Sequence, residues 1–387
     1  MFGNGGVRAG GMEMVRPTTE RSVRWRCVMR GEDHWKRELA DIVDRFNDRH
    51  KDREKLISHA TRSARRQGIF RIFVLLHQLG FRARPRNLSV RHIHALVDYW
   101  TAKPGLAGLR KVDATIPYPV RPYSAAYIQQ QLSFLRAYVG WIGKRGMVQC
   151  AEHYAVDKQL VARSYSAGRD LSWAGNGVDA LSAIEKVAKI DKHVAVQLQM
   201  MTAFGLRRKE AVMFAPHAAE VPQHALPEAH RSDAKYLGFL KIKRGTKGGR
   251  LRYTAIRTDE QRAALAAAES IARGRSGHIG RPGLSLRQSL DLFSNVVRQV
   301  GLTKKELGVT PHGLRHQFAG DLYFEIAKVK APVQDGEPLV DAASMKDAYR
   351  QVARQLGHNR PQISNAYLGS PHVRRAPVSE AVGEART

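Results

Sequence analysis

Cysteine and long apolar runs are scarce in this sequence. Its 387 residues contain two cysteines, Cys27 and Cys150, which form neither a Cys-x-x-Cys pair nor a zinc-finger spacing. A disulfide scaffold and a structural zinc site are therefore not expected, whereas a reducing, cytoplasmic compartment is. No apolar segment is long enough to predict a membrane span. The Gly- and Arg-rich N-terminus also lacks the apolar core of a secretory signal.

Acidic residues are few compared with basic ones. The chain has 64 Lys and Arg against 35 Asp and Glu, which gives a formal net charge of +29. Such an excess opposes compaction because like charges repel. A polyanionic partner would compensate it, and nucleic acid is the first candidate. A membrane surface is the second, but no basic amphipathic anchor is present to support it.

The length of the chain predicts two domains, since one domain usually takes ~100–200 residues. Residues 36–160 carry helical patterns, including the apolar stripe of SAAYIQQQLSFLRAYVGWIGKRG, and are predicted to form a basic, helical domain. A linker at 161–177 leads to a second domain at 178–370. Residues 1–35 are interpreted as a disordered basic arm, or as sequence upstream of the natural start, and 371–387 as a short polar tail.

The second domain is predicted to be mainly α with a small antiparallel β-sheet, an α+β fold. Helical patterns are expected at 179–190 and 192–204, and KYLGFLKIKRGTKGGRLRYTAI reads as two strands around a Gly-rich turn. A further helix is expected to open at TPHGLRHQFAG, with Thr310 as its N-cap and Pro311 as its first residue.

That last stretch holds His312, Arg315 and His316, which would share one face of a helix that begins at Pro311. Cations are poorly placed at a helix N-terminus, because the helix dipole favours anions there. A bound phosphate would resolve the misfit. A solvated basic turn explains the stretch equally well, and a metal site is the third interpretation, although the interleaved arginine argues against it.

Three other stretches could supply groups for the same chemistry. GLRRKE contains Arg207 and Glu210, the turn GTKGGR contains Lys247, and LGHNRPQISNAYLG contains His358 and Tyr367. Each is weak evidence alone. A tyrosine with a pKa of ~10 needs a base or nearby cations to act as a nucleophile. Together these groups are what phosphoryl transfer on a phosphodiester needs without a metal.

The order of these motifs resembles the catalytic domain of tyrosine recombinases, the phage-integrase family. The resemblance covers about residues 178–370, and five motifs in this order and at this spacing are specific even though each is weak. The helical domain before it is similar to the family's core-binding, SAM-like domain in architecture and charge only. The resemblance therefore implies site-specific cutting and rejoining of DNA, integrating or excising a mobile element.

The resemblance also implies a role for each matching residue. Six would be catalytic and two would hold the site together: Tyr367 as the nucleophile that forms a 3′-phosphotyrosine, Arg207 and Arg315 as the phosphate clamp, His312 as the general base, His358 as a hydrogen-bonding partner of the phosphate in the transition state, Lys247 as the general acid, and Glu210 and His316 as supports. Because the phosphotyrosine conserves bond energy, no ATP is implied. The arginines, histidines and lysine would supply the charge and the proton transfers, so neither a metal nor another cofactor is implied.

The implied partners are double-stranded DNA attachment sites and a homo-tetramer assembled on DNA, with accessory directionality or DNA-bending proteins, in the nucleoid of a bacterium or in a phage-infected cell. No membrane partner is implied. Three alternatives stay open: a non-catalytic DNA-binding protein of the same fold, a type IB topoisomerase, and a metal-dependent nuclease. Basic residues of the first domain are expected to contact DNA, namely Arg62, Arg65, Arg66, Arg136, Lys144 and Arg145.

Two segments depart from the family pattern. About 20 residues between 325 and 349 read as an insertion, either a surface loop or a contact between protomers. The loop that carries His217, His224 and His230 is interpreted as solvated rather than as a metal site.

Overall fold

The computed structural model describes residues 34–50, 53–103, 114–228, 236, 238–336, 341–358 and 360–370. Contacts divide the chain into two units, residues 1–163 and 164–387. Residues 1–33 of the predicted arm, the predicted tail at 371–387 and the loop residue His230 lie outside the described residues. His34 and Trp35, the last two residues of the predicted arm, begin the first helix that the structure describes.

The first unit is helical. Serine hydroxyls begin two of its helices by accepting a backbone N–H, from Thr61 at Ser58 and from Tyr127 at Ser124. Apolar side chains from successive helices, such as Leu39, form one buried core. The elements are α1 (His34–Phe46), β1 (Arg49–His50), β2 (Arg53–Leu56), α2 (His59–Gln78), α3 (Val90–Trp100), α4 (Ala125–Trp141) and α5 (Ala151–Tyr154).

The second unit is built from helices around one small sheet. Aspartates cap its first two helices, because Asp179 accepts from Ser182 N and Asp191 from Val194 N. The helices are α6 (Ala180–Ala188), α7 (Lys192–Phe204), α8 (Arg208–Val212), α9 (Asp259–Ile271), α10 (Leu286–Gln299), α11 (Gly313–Ala327), α12 (Ala342–Gln355) and α13 (Asn365–Leu368).

The sheet of the second unit has three antiparallel strands in the order β3 (Glu220–Val221), β4 (Gly238–Ile242) and β5 (Arg252–Ile256). Strands β4 and β5 form the predicted hairpin, with Ile242 opposite Arg252. The fold class, mainly α with a small antiparallel sheet in the C-terminal unit, is confirmed. Among the helices that the structure describes, none has both the length and the apolar character needed to cross a bilayer.

The predicted linker at 161–177 is mostly part of the second unit. Trp173 is fully buried in that unit's core, and its indole Nε1 donates to the carbonyl of Thr310 at 2.7 Å. Its burial needs a partner surface, so this stretch folds with the helices that follow it. A spacing pattern could not show this, because a single tryptophan has no periodicity.

Helix α11 begins at Gly313, two residues later than the sequence predicts. Pro311 and His312 form a turn before it, and Gly313 N donates to the carbonyl of Thr310 at 2.8 Å. Thr310 is therefore not the N-cap. His312 occupies that position without a side-chain cap bond, which leaves its imidazole available for other contacts.

The predicted insertion folds against the second unit. Ala331 and Val333 are buried in the same cluster as Leu368, and residues 342–355 form the helix α12. Residues 337–340 lie outside the described part of the chain. The described part of the insertion is thus packed structure rather than the surface loop that was one of its two interpretations.

Candidate active site

Tyr367 lies on the one-turn helix α13, which a Pro361–Ser364 turn precedes. Its side chain is 8% exposed, so the ring is packed and only part of it meets solvent. Behind it, Gly369 has a φ of +79° and accepts a hydrogen bond from the Tyr349 hydroxyl at 2.8 Å. A Cβ at Gly369 would come within 3.0 Å of Val333 N. The end of α13 is therefore held by α12 and by the insertion.

Arg315 is the centre of the site and is fully buried on α11. Its Nε donates to the Tyr367 hydroxyl at 3.2 Å, and its Nη2 donates to the carbonyl of Leu356 at 2.6 Å. Nη1 donates to the carbonyl of Gly205, and Nη2 also lies 3.3 Å from His358 Nε2. Burial lowers the pKa of Arg315 to about 10, which still leaves it charged at neutral pH.

Three histidines surround the Tyr367 ring. His358 Nε2 is 3.4 Å from the Tyr367 hydroxyl, so this imidazole is in hydrogen-bonding range of it. The ring centroids of His316 and His312 lie 4.8 Å and 6.0 Å from that of Tyr367. The structure therefore brings together both histidines of the HGLRH motif and the histidine of the LGH motif.

Each of these imidazoles is biased towards its neutral form. Loss of hydration is the first cause and the positive charge of Arg315 is another, and together they lower the pKa of His358 to about 3. The pKa of His312 and of His316 falls to about 4. His312 keeps exposed surface, whereas His316 is buried and its Nδ1 has no hydrogen-bond partner. A neutral imidazole can accept a proton, so each is chemically able to act as a base.

Glu210 holds the guanidiniums of the site in place. Its carboxylate is fully buried and accepts from the backbone N of Arg207 at 2.9 Å and from Arg207 Nη1 at 2.6 Å. It also accepts from Arg252 Nη2 at 3.0 Å and lies 4.0 Å from Arg315 Nη1. Burial would raise the pKa of Glu210, but the three guanidiniums outweigh it and hold that pKa at about 2. The supporting role of Glu210 in catalysis stays a prediction.

Arg252 is the residue that the sequence analysis missed. It is 2% exposed and touches Glu210, yet no motif singles it out. A signal was available, because Arg252, Thr254 and Ile256 alternate along β5 and Thr254 and Ile256 are also fully buried. The period of two therefore places Arg252 on the core face of the strand.

Lys247 is the predicted catalytic residue that the structure leaves apart from the others. It lies in a short turn between β4 and β5, is exposed, and makes no hydrogen bond or ion pair with the part of the chain that the structure describes. The base of that hairpin packs on α8: a Cβ at Gly245, whose φ is +77°, would lie 2.5 Å from the carbonyl of Lys209. The hairpin thus begins beside Glu210, while its turn extends into solvent.

Arg136 and Lys144, two of the basic residues predicted to contact DNA, use their donors inside the first unit. Arg136 Nη2 donates to the carbonyl of Gln149 at 2.7 Å. Lys144 Nζ donates to the carbonyl of Leu88 at 2.9 Å. Both side chains hold loops in place, which their sequence positions did not indicate.

Arg65 and Arg66 are also engaged within the unit. The guanidinium of Arg65 lies 5.7 Å from the ring centroid of Trp141, and its Nη1 donates to Asn47 at 3.5 Å. Arg66 forms an ion pair with Asp44. A cation over an indole face and a paired cation are both less available to a phosphate than a free one.

Arg62 and Arg145 remain exposed, with no side-chain hydrogen bond to a described residue. The sequence analysis did not select Arg82, Arg84 and Arg91, which are exposed and line one pocket beside the start of α3. These five arginines are the better candidates for contacts with phosphates in the first unit.

In the loop of the second unit that carries His217 and His224, His217 Nε2 lies 3.4 Å from the carbonyl of Ala272.

Comparisons with known proteins agree with the motif order. Residues 166–321 match the family model described as Integrase. That range contains Arg207, Glu210, Lys247, His312 and Arg315, whereas His358 and Tyr367 lie beyond it. Among curated proteins, none matches the chain.

Several solved structures are similar to the chain at low identity. A lambda integrase dimer bound to a COC′ core site is 15% identical over 90% of this chain and 80% of that one, with a TM-score of 0.46. XerH recombinase bound to palindromic difH is 14% identical over 78% of this chain and 73% of that one, with a TM-score of 0.41. The Tn1549 transposon integrase in complex with circular intermediate DNA is 12% identical over 85% of this chain and 94% of that one, with a TM-score of 0.42. The family match at residues 166–321 is the firmer finding: most of the second unit is similar to the integrase family, which agrees with the resemblance of its motifs to tyrosine recombinases.

Proposed function

We propose that the protein is a site-specific DNA recombinase in which Tyr367 attacks a DNA phosphodiester. The observation that supports this most is the position of the Tyr367 hydroxyl, 3.2 Å from Nε of the buried Arg315 and 3.4 Å from His358 Nε2. A phenol beside a guanidinium and a neutral imidazole has both groups that activate a weak nucleophile. The net charge of +29 fits a polyanionic substrate.

In the proposed step a bond forms between the Tyr367 oxygen and the phosphorus, and the bond from phosphorus to the 5′ oxygen breaks. The product is a 3′-phosphotyrosine and a free 5′-hydroxyl. The phenol proton passes to a neutral imidazole, and the leaving 5′ oxygen takes a proton from Lys247. A second strand can reverse the step by attacking the phosphotyrosine, so no ATP is consumed.

The resemblance assigns the base role to His312, whereas the geometry of the DNA-free site favours His358. His358 is within hydrogen-bonding range of the hydroxyl, while the ring of His312 is 6.0 Å from that of Tyr367 between centroids. A phosphate bound between Arg315 and His358 would engage His358 and leave two neutral imidazoles, of which His312 is the exposed one and His316 is buried. Both assignments therefore belong to one scheme, before and after the DNA binds.

The clamp needs donors that can reach the phosphate. The side chain of Arg207 is 23% exposed while its Nη1 is fixed by Glu210, so part of a pre-oriented guanidinium still faces solvent. Arg315 instead spends its Nε on Tyr367, and the incoming phosphate would take that bond. Fixed donors that need no reorganisation are the strongest contributors to the stabilisation of transition-state charge.

A suicide substrate tests the proposal. Duplexes that cover the DNA beside the gene are nicked at successive positions, so that cleavage near a nick releases a short strand and traps the protein. The wild type should give a covalent complex that survives SDS, in excess EDTA and without ATP. Tyr367→Phe should bind the same DNA and trap none. Equal trapping by Tyr367→Phe would show that another residue is the nucleophile.

The same assay separates the alternatives. Binding by the wild type without any covalent complex would favour the non-catalytic DNA-binding protein. Cleavage that EDTA abolishes would favour a metal-dependent nuclease. Relaxation of supercoiled plasmids that lack the trapped site would favour a type IB topoisomerase. A tetramer on DNA and the integration or excision of a mobile element are parts of our proposal that strand exchange between two trapped sites would test.

A further inference from the structure

Arg252 is a fully buried cation that the proposed chemistry does not use. It begins β5, and its Nη2 donates to Glu210 Oε2 at 3.0 Å. Its Nη1 donates to Thr254 Oγ1 at 2.5 Å and to the carbonyl of Gln355 at 2.5 Å. The side chain is 2% exposed, so it cannot touch DNA unless the unit opens.

The contacts of Arg252 reach both halves of the candidate site. On one side it shares Glu210 with Arg207, the exposed member of the phosphate clamp. On the other side it binds the last residue of α12, Gln355, three positions before His358. One planar guanidinium therefore spans the group that orients a clamp arginine and the backbone that leads to a histidine beside the nucleophile.

The backbone between Gln355 and His358 is shaped around Arg252. Gly357 has a φ of +72°, and a Cβ there would lie 2.6 Å from Arg252 Cδ. His358 N donates to the carbonyl of Ala353 at 2.8 Å, which closes the end of α12 over the arginine. The chain thus turns into His358 by passing directly over the stem of this side chain.

Burying this cation is expensive, because removing a charge from water costs several kcal/mol even after relaxation. Its Nε is buried without a hydrogen-bond partner, so its bonding is not even complete. An apolar residue would fill the same space more cheaply. A cation retained here under those conditions is better explained by what it orients than by what it adds to stability.

We propose that Arg252 is a positioning residue for DNA cleavage, which orients Arg207 through Glu210 and His358 through the Gln355 carbonyl. This inference rests on the proposed recombinase function. A planar fork with fixed donors is needed, since the acceptors lie on separate elements. Lysine would keep the charge but could not bridge both acceptors in one geometry.

The test compares Arg252→Lys with a matched control, Arg257→Lys. Arg257 follows the same strand, has a side chain that is 8% exposed and pairs with Glu325 rather than with a site residue. At saturating DNA, Arg252→Lys should cut about a hundredfold more slowly in a single turnover, since small displacements of reacting groups have effects of that size. Its Kd for DNA should be unchanged. Arg257→Lys should keep both the rate and the Kd.

A second readout does not depend on cleavage. The ring NMR signals of His358, assigned by comparison with His358→Gln, should move in Arg252→Lys and stay in place in Arg257→Lys. Loss of cleavage in proportion to loss of thermal stability in both variants would overturn the positioning role. If the His358 signal did not move in Arg252→Lys, the positioning role would be overturned even if the wild type cut no DNA. If the wild type merely failed to cut DNA, only the proposed function would be overturned.

A double variant guards against misfolding. Arg252→Met combined with Glu210→Gln removes both charges of this pair, while Arg207 and Arg315 lose their anion equally in the double variant and in Glu210→Gln alone. If charge balance were the whole role of Arg252, this variant should recover the cleavage rate of Glu210→Gln alone. A positioning role predicts that it stays slower than Glu210→Gln while folding as well.

Discussion

The two ends of the candidate site are held in different ways. At the buried end Glu210, Arg252 and Arg315 are between 0% and 2% exposed, and donors and acceptors are joined across four elements. At the other end Lys247 lies on an exposed turn with no bond to the described residues. The first end is held by contacts within the unit, whereas in our proposal DNA bound against the hairpin would bring Lys247 to the reacting atoms.

The difference indicates how the proposed reaction divides its work. Groups that stabilise charge act best when they are fixed in advance, because they then need no reorganisation. A proton donor for the leaving oxygen need only arrive in time for the cut. Variants at the two ends should therefore separate stability from activity, and the following predictions are ordered from the largest expected effect to the smallest.

Glu210→Ala should have the largest effect. It would leave Arg207, Arg252 and Arg315 without their shared anion, and breaking a buried pair costs about 3–5 kcal/mol of the free energy of unfolding. Urea denaturation followed by circular dichroism measures it. The control is Glu220→Ala, because that carboxylate is 41% exposed in its pair with Arg262. If the free energy of unfolding fell equally little in both variants, Glu210 would not organise the site.

Lys247→Ala should show the opposite behaviour. The cleavage rate should fall about a hundredfold, as expected when a general acid is removed, while the free energy of unfolding changes by less than about 0.5 kcal/mol, as for an exposed side chain. Single-turnover trapping gives the rate. Lys243→Ala, in the same hairpin, is the matched control and should cut normally. An unstable Lys247→Ala would contradict the contrast between the two ends.

The buried end should also depend on pH through His316. Burial lowers its pKa to about 4, so near pH 5 the unfolded chain binds a proton that the folded chain does not. Stability from this group is complete above the ordinary pKa of ~6.5 and declines as the pH falls towards 4. Between pH 7.5 and pH 5 the free energy of unfolding of the wild type should thus fall by about 2 kcal/mol more than that of His316→Gln. Denaturation of both proteins at each pH measures this difference, and a constant difference would refute the shift.

The smallest expected effect concerns the end of α13. Tyr349→Phe removes the buried hydrogen bond to the carbonyl of Gly369, and about 1 kcal/mol of the free energy of unfolding should be lost. Thr246→Val removes an exposed bond of the hairpin, from Thr246 Oγ1 to the carbonyl of Lys243 at 2.7 Å. Thermal denaturation should show a clear shift for Tyr349→Phe and none for Thr246→Val. Equal shifts would mean that both ends are held alike.

The sequence predicted the groups of the site better than their surroundings. The hairpin that carries Lys247 was predicted from its Gly-rich turn, and the helix that carries Arg315 from a start at Pro311, which the structure places two residues later. The motif order predicted that distant histidines meet Tyr367. These features are local or repeat in many chains, so a pattern can carry them.

What the sequence did not show depends on three-dimensional packing. Arg252 follows the basic turn KRGTKGGR, where arginines and lysines look alike in a string of letters, and it is buried against Glu210, which lies 42 residues earlier. The sequence predicts Arg136 and Lys144 to be surface cations, yet both donate hydrogen bonds to backbone carbonyls elsewhere in the first unit. The insertion gave no sign that Val333 packs behind the nucleophile.

The carbonyl of Gly205 accepts from Arg315 and, at 3.5 Å, from Arg252. A main-chain oxygen exists whichever residue stands there, so mutation cannot delete this acceptor as it can delete a carboxylate. The same holds for the carbonyl of Leu356, because another side chain that packs as well at this position would leave the carbonyl in place. Gly205 itself is different, because its φ is +57° and a Cβ would lie 2.6 Å from Phe318 Cδ1. Among the residues whose carbonyls hold Arg315, the position least tolerant of substitution is therefore Gly205, which has no side chain.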